Sequence, residues 1–451
     1  MRNMFKNLFC VLLLLIFLFS SIRCEKPQEQ AIIHPPNILL VLVDSLRADH
    51  LSGYGYKRQT SPFLDQYSKK GIRFSNAYSH SSHTKISVAS LFTGLVPSSH
   101  QVRTASLTTG SDILGDSVET LAEILKKRGY LTAGFIANPH VTSQQGFGQG
   151  FDLYKYFFWE NINARTLNEN VLSWLSKKTE SPYFIYLHYM DVHLPYNPPL
   201  PYKHLYTEER EDLKPLRING PPPYAIDQET IEYSVALYDA QINFWDDCLS
   251  QFFEKLKKRG LLENTIVVIV ADHGEEFNEH KGFGHGFTVY SEMLHVPMYF
   301  VFENKLPGGV VRNDLARLID VIPTLCGLSG IDTDGMNLEG VDLFDKENSQ
   351  GRNNDRIVFS ETYQGKEPLS VRTAVYQLIF NRNLKNWEFY SLKEDPIEEK
   401  DIYSKTDIQE ITEMKKLLSI YMRGKNPDLR YRSKEIDAKT KEELRSLGYV
   451  Q

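Results

Sequence analysis

The sequence predicts an α/β protein: a largely parallel central sheet with helices on both faces, followed by a small antiparallel sheet with a helix. Three observations carry this. Ile38–Val43 and Thr265–Val270 are continuous apolar, β-branched runs that read as strands buried on both faces, and Tyr183–Tyr189 reads as a third. Over residues 37–330 such runs alternate with helix-periodic stretches, the pattern of parallel strands joined by crossover helices. The C-terminal part changes to short strands, Ile357–Ser360, Thr373–Asn381 and Trp387–Tyr390, with one helix over Ile408–Arg423.

In chain order, Arg2 and Lys6 precede an apolar run, Leu8–Phe19, too short to span a bilayer comfortably. Ser21-Ile22-Arg23-Cys24 then resembles a bacterial lipobox, with Arg23 where a small residue is usual. Residues 1–24 read as a leader and 25–36 as a polar tether. The expectation is an exported protein, periplasmic or at the cell surface, lipid-anchored at Cys24, with membrane contact only through this segment. A large domain over 37–345 and a smaller C-terminal subdomain over 346–451 follow. Phe63–Lys70 has helical spacing and stops at Gly71. Ser and His fill Tyr78–His83, and helical spacing begins near Ile86. Ser117–Lys127, Asn168–Lys178, Glu229–Lys258 and Asp314–Leu328 read as helices, the last around Pro323. Leu131–Ala137 and Pro297–Phe302 read as strands, and residues 200–228 as a surface excursion rich in proline and charge.

The 451 residues carry a net charge of −6, and loss of the leader's cations makes the mature chain more acidic still. That argues against nucleic acid as a partner. Four cysteines are too few for a disulfide scaffold, and Cys248 and Cys326 read as buried apolar residues.

The chemistry gathers at strand ends. The first, third and later strands stop at Asp44, Asp191 and Asp272, and Asp272 is followed at once by His273. A carboxylate and an imidazole at the end of a buried strand are costly unless they bind something, and that edge is where ligands sit in open α/β sheets. Asp and His together suit a borderline divalent cation. Thr84 offers a hydroxyl beside a helix N-terminus, a placement that favours attack on an anion. Read together, these residues describe one divalent cation at a sheet edge with a hydroxyl nucleophile bound to it.

The stretches NILLVLVDSLRADHLSGYGY, TKISVASLFTG, HYMDVHLPYNPP, NTIVVIVADHGEEFNEH with GFGHG, and FYSLKEDPIEEKDI occur in this order. They resemble the sulfatase branch of the alkaline phosphatase superfamily over most of residues 37–450. The resemblance implies an α/β/α sandwich and a metal-dependent hydrolase or transferase acting on sulfate or phosphate esters. Aligning Leu91-Phe92-Thr93-Gly94 places Thr84 at the nucleophile of the C-x-P-S-R signature, Ile86 at its proline and Val88 at its arginine. Sulfatases oxidise a Cys or Ser there to formylglycine, which a secondary alcohol cannot become. Ser45 after the first Asp, and His273 where many sulfatases have Asn, also lean toward phospho-handling members.

The resemblance implies metal ligands Asp44, Thr84, Asp272 and His273, with Thr84 the nucleophile and His193 and His285 contacting the substrate or its leaving oxygen. Asn138 and His140 are further substrate contacts on this reading. One metal is favoured, zinc, manganese or calcium, because a second site needs another Asp and two His at spacings that Asp191 and His193 do not match. Phosphate mono- or diester cleavage or phospho-group transfer leads. Sulfate ester hydrolysis is the alternative within the enzyme class, and a non-catalytic binding lipoprotein of the same fold is the second alternative.

Overall fold

A computed structural model describes residues 35–103, 111–177, 181–222, 225–303, 305–345, 356–405, 409–423 and 433–434. The leader, Cys24 and most of the tether lie outside the described residues, as does the segment 346–355 where the subdomain boundary was expected. Among the described residues no helix is long and apolar enough to cross a membrane.

The central sheet has eight strands: β1 (Asn37–Val43), β2 (Ile72–Tyr78), β3 (Leu131–Ile136), β4 (Leu153–Tyr156), β5 (Tyr183–Tyr189), β6 (Thr265–Ala271), β7 (Met298–Val301) and β8 (Val310–Arg317). Their spatial order is β8-β2-β7-β6-β1-β5-β3-β4, and β7 alone runs against its neighbours. The apolar runs took the middle because only there is a strand covered on both faces: β5 and β6 are buried throughout, and β1 from Ile38 onward. Each Leu, Ile or Val so buried is worth about 1.5–3 kcal/mol relative to exposure.

Among the described residues, seven helices of six or more residues frame the sheets: α1 (Pro62–Tyr67), α2 (Thr84–Thr93), α3 (Leu121–Lys126), α4 (Ala164–Leu175), α5 (Gln228–Lys258), α6 (Val321–Leu328) and α7 (Gln409–Arg423). Several differ from expectation for local reasons. α3 starts at Leu121 because Thr120 and Glu123 close a capping box. α4 starts at Ala164, where Asn163 caps the N–H of Thr166. The helix expected over Asp314–Leu328 is split. Val310–Arg317 is an edge strand, and α6 begins at Val321 with Pro323 in its first turn, where a missing N–H costs nothing. Strand β2 was hidden by Arg73, Ser75 and Asn76, which break its apolar run.

The C-terminal sheet has strands β9 (Val358–Glu361), β10 (Pro368–Arg372), β11 (Tyr376–Asn381) and β12 (Asn386–Ser391), all antiparallel. Helix α7 lays Ile411, Met414, Leu418 and Tyr421 onto it, one face at helical spacing. Val96 and Ile319 of the larger part join the same apolar cluster, so this sheet is packed onto the main body rather than tethered to it.

Candidate active site

Strand register builds the site. Val43 pairs with both Tyr189 and Ala271, so the chain leaves β1 and β6 side by side, and Asp44 and Asp272 follow at the same level. The turn after β1 is held open by Ser45 at φ 58°, a strained value for serine. Its carbonyl accepts from Tyr238 of α5 at 2.7 Å, and its N–H donates to Asp272 Oδ1 at 3.3 Å.

Asp44, Asp272 and His273 each offer a ligand atom within 4.8 Å of the others, all buried. His273 Nδ1–H donates to the Gly274 carbonyl at 2.9 Å, which leaves Nε2 with a lone pair facing the carboxylates. Nε2 lies 3.4 Å from Asp272 Oδ2 and 3.8 Å from Asp44 Oδ1. Asp272 Oδ2 is buried without a hydrogen-bond partner. An orphaned carboxylate oxygen, a second carboxylate and an imidazole lone pair converging on one point fit a divalent cation.

The charges agree. Burial pushes Asp44 upward, but the His188 hydrogen bond and nearby His193 and His273 outweigh it, and its carboxyl sits well below the usual range. Burial and the adjoining Asp44 charge hold Asp272 well above it. With no cation present, two facing carboxyls settle by one keeping its proton.

Asp44 is fixed from the other side by a residue that the sequence reading missed. His188, one residue before the end of β5, bonds Asp44 Oδ2 through Nε2 at 3.1 Å, while Tyr186 hydroxyl bonds its Nδ1 at 2.9 Å. The available signal was a histidine inside an otherwise apolar strand. Asn138 Nδ2 also donates to Asp44 Oδ2, at 2.6 Å, and Asn138 Oδ1 accepts from His140 N at 2.7 Å. Both ends of that amide, expected to contact substrate, are therefore engaged within the protein, holding the Asp44 carboxylate.

Thr84 is not in the loop before the helix, as the spacing suggested, but is the first residue of α2, capped by His83. Its Oγ1 lies 3.1 Å from His273 Nε2. Ser87, one turn on, donates to the Asp272 carbonyl at 2.7 Å and so ties the start of α2 to the end of β6. Every residue of α2 is buried, Lys85 included, and burial drops that ammonium to about 7.

Imidazoles wall the rest. The His285 ring centroid is 4.4 Å from that of His273 and 4.9 Å from that of His193, and His140 lies 5.0 Å from His83. Gly284 and Gly286, at φ 77° and 92°, flank His285 and let the loop turn back over the strand ends. Glu275 Oε1, another residue missed in sequence, bonds His285 Nδ1 at 2.9 Å. Burial holds His83, His140 and His285 well below the usual imidazole value. Asp191 does not join the group. It accepts from Ala164 N at 2.9 Å and caps α4, and burial lifts its carboxyl to about 7. A strand-end carboxylate can serve a helix as readily as a metal.

Comparison with known proteins agrees with this geometry. The delta 4,5-hexuronate-2-O-sulfatase of Bacteroides thetaiotaomicron is 24% identical over 92% of this chain and 94% of its own length. The arylsulfatase of Clostridium perfringens is 23% identical over 86% and 95%. Among solved structures, the phosphonate monoester hydrolase of Agrobacterium radiobacter superposes with a TM-score of 0.71 at 18% identity, over 88% of this chain and 97% of that one. A 2-O GAG sulfatase gives 0.70 at 23% identity, over 89% and 95%. The C-terminal model of N-sulphoglucosamine sulphohydrolase matches residues 278–423, and the Sulfatase family model matches residues 36–331. A match across that much of the chain, with this fold beneath it, means that the protein belongs to the sulfatase family of the alkaline phosphatase superfamily.

Proposed function

We propose that this member of a hydrolase family uses Thr84 as its nucleophile and acts on phosphorus esters, as a phosphate mono- or diesterase or a phospho-group transferase. One observation carries the reading. The side chain 3.1 Å from His273 Nε2, at the head of a buried helix beside Asp44 and Asp272, is a threonine. It has one hydroxyl and a methyl group and cannot be oxidised to an aldehyde. A formylglycine enzyme releases sulfate by collapse of a gem-diol, and Thr84 has no second hydroxyl for that step. An intermediate on Thr84 must be cleared by water or an acceptor alcohol at the central atom, which phosphorus permits.

Asp44, Asp272, His273 and Thr84 would hold one divalent cation, zinc, manganese or calcium, whose charge would lower the pKa of the Thr84 hydroxyl and neutralise the anionic ester. Thr84 attacks in line, and the dipole of α2 favours the anion at its N-terminus. His193 and His285 face the same space and contact the ester and its leaving oxygen. The chain acts outside the cytoplasm, anchored through Cys24. Mass spectrometry of the mature N-terminus checks this, and an unmodified chain beginning elsewhere removes the anchor.

A second reading, sulfate ester hydrolysis, is favoured by the relatives, most of which carry sulfatase names. The third, a non-catalytic binding protein, sits poorly with a complete ligand set around Thr84. A panel of aryl phosphate, phosphodiester, phosphonate and aryl sulfate substrates, each with zinc, manganese and calcium, separates them. The proposal expects the fastest turnover on a phosphorus ester. Aryl sulfate cleaved far faster than any phosphoester overturns it in favour of the second reading, and no turnover of any favours the third.

A further inference from the structure

We propose that Glu275 is a positioning residue for the leaving-group side of the reaction: its carboxyl anchors Nδ1 of His285 and so sets which edge of that imidazole faces the substrate. The inference rests on the role given to His285 above.

Both side chains are fully buried, and Glu275 Oε1 lies 2.9 Å from His285 Nδ1. The ring is planar and rigid, so anchoring Nδ1 turns Nε2 away from Glu275. The same ring lies against His273 and His193, over the metal ligands. His285 itself sits in a loop between two left-handed glycines, and such a loop does not by itself fix a side chain.

Glu275 is far more constrained. Its carbonyl accepts from Arg47 NH1 at 2.9 Å, and Arg47 is clamped in turn by Asp49 and Glu279. The preceding Gly274 donates its N–H to the Met293 carbonyl at 2.8 Å, and a Cβ at Gly274 would lie 1.9 Å from the Glu292 carbonyl oxygen. The segment from His273 to Glu275 therefore has no slack, and the hydrogen bond conveys that rigidity to the His285 side chain. A buried carboxyl is an expensive way to make a merely structural contact.

The test is a double-mutant cycle in the metal-loaded full chain, with Glu275→Gln, His285→Ala and the pair. The substrates are a series of aryl and alkyl esters, phosphate or sulfate, whichever class the wild type turns over. Glu275→Gln should lower kcat about 10–100-fold with KM nearly unchanged, the scale of lost outer partners at such sites. The loss should grow as the leaving alcohol becomes less acidic, and the double variant should be no slower than His285→Ala alone. Losses that multiply, or a loss equal for every leaving group, overturn the proposal. Should Glu275→Gln fold poorly, Glu275→Asp withdraws the carboxyl by one methylene and should give a smaller loss of the same pattern. Nitrogen NMR of labelled histidine supplies a readout independent of turnover. His285 should hold one tautomer in wild type and lose it in Glu275→Gln, and an unchanged signal also overturns the assignment. A preference for sulfate defeats the phosphorus reading while leaving this cycle intact.

Discussion

Asp44 and Asp272 leave adjoining parallel strands at one level, because Val43 pairs with Ala271, and neither carboxyl reaches solvent. Two buried acids so placed repel each other unless a cation lies between them or one keeps its proton. The sign of the pH dependence follows. The Asp272 carboxyl is held above its ordinary 3.8 by burial and by Asp44. In the metal-free protein its contribution is fully present below that value and is lost as pH rises through the folded pKa. Melting in chelator should therefore show a Tm that falls from pH 5 to pH 8, and a divalent cation should restore more at pH 8 than at pH 5. Asp272→Asn should flatten the chelator curve. A Tm indifferent to chelator and cation at both pH values would count against the metal site.

Thr84→Ala should reduce turnover by at least ~10³-fold, on the scale of nucleophile loss in other hydrolases. Tm should hardly move, since the change removes a methyl and a hydroxyl from a polar site. Thr84→Ser restores a hydroxyl and should recover part of the rate. Steady-state kinetics on the best ester, with circular dichroism as the folding control, checks both. Normal turnover by Thr84→Ala would sink the proposed mechanism.

His188→Phe tests the support behind Asp44. The ring volume is kept while the Nε2 bond to Asp44 is lost. Removing an outer partner of a ligand at such a site costs about 10–100-fold in metal affinity. Asn138 still holds Asp44 Oδ2, so the penalty in the metal-free protein, about 1–3 kcal/mol, should come mainly from the orphaned Tyr186 hydroxyl. Metal titration by calorimetry and chemical denaturation measure the two effects separately, and unchanged affinity would reduce His188 to a packing residue.

A second pH effect lies at the joint between the site loop and the C-terminal part. Burial lowers the His280 imidazole, but its bonds to Glu292 and to the Glu398 carbonyl outweigh that and raise it to about 9. A histidine with a raised folded pKa contributes stability that is fully present below 6.5 and lost as pH climbs through about 9. Tm should thus decline between pH 7 and pH 9.5, and His280→Gln should be less stable at pH 6.5 while losing that slope. A variant with the same slope as wild type would assign the effect elsewhere.

The strands that build the site were plain in the sequence wherever burial was complete. Tyr183–Tyr189 matches its expected limits, and Thr265–Val270 is one residue short of its own. Legibility failed where a strand lay toward the sheet edge. Ile72–Tyr78 and Val310–Arg317 carry Arg, Ser and Asn on half-buried or exposed positions, and the second also a buried Asp314, so their pattern falls below that of a buried apolar run, and the second was absorbed into a helix reading. Helix starts depended on caps. His83 accepting from Lys85 N moved the start of α2 onto Thr84, and histidine is not a usual capping signal.

By itself the sequence determined the core strands, the residues at their C-terminal ends and the chemistry those residue types can perform. Strand ends are legible because an apolar run must stop where the chain turns, and Asp44, Asp272 and His273 stand at such boundaries, while Thr84 heads a helix. Only the tertiary structure decided which boundary carboxylates meet. Asp44 and Asp272 are neighbours because β1 and β6 pair in register, whereas Asp191, at an equally suggestive strand end, turns to the N-terminus of α4. It also supplied His188 and Glu275, which no spacing reveals, because a hydrogen bond between side chains 144 residues apart, as for His188 and Asp44, depends on how the strands are ordered in space. Local sequence encodes periodicity and turn chemistry; the partners of a buried polar atom are set by long-range packing.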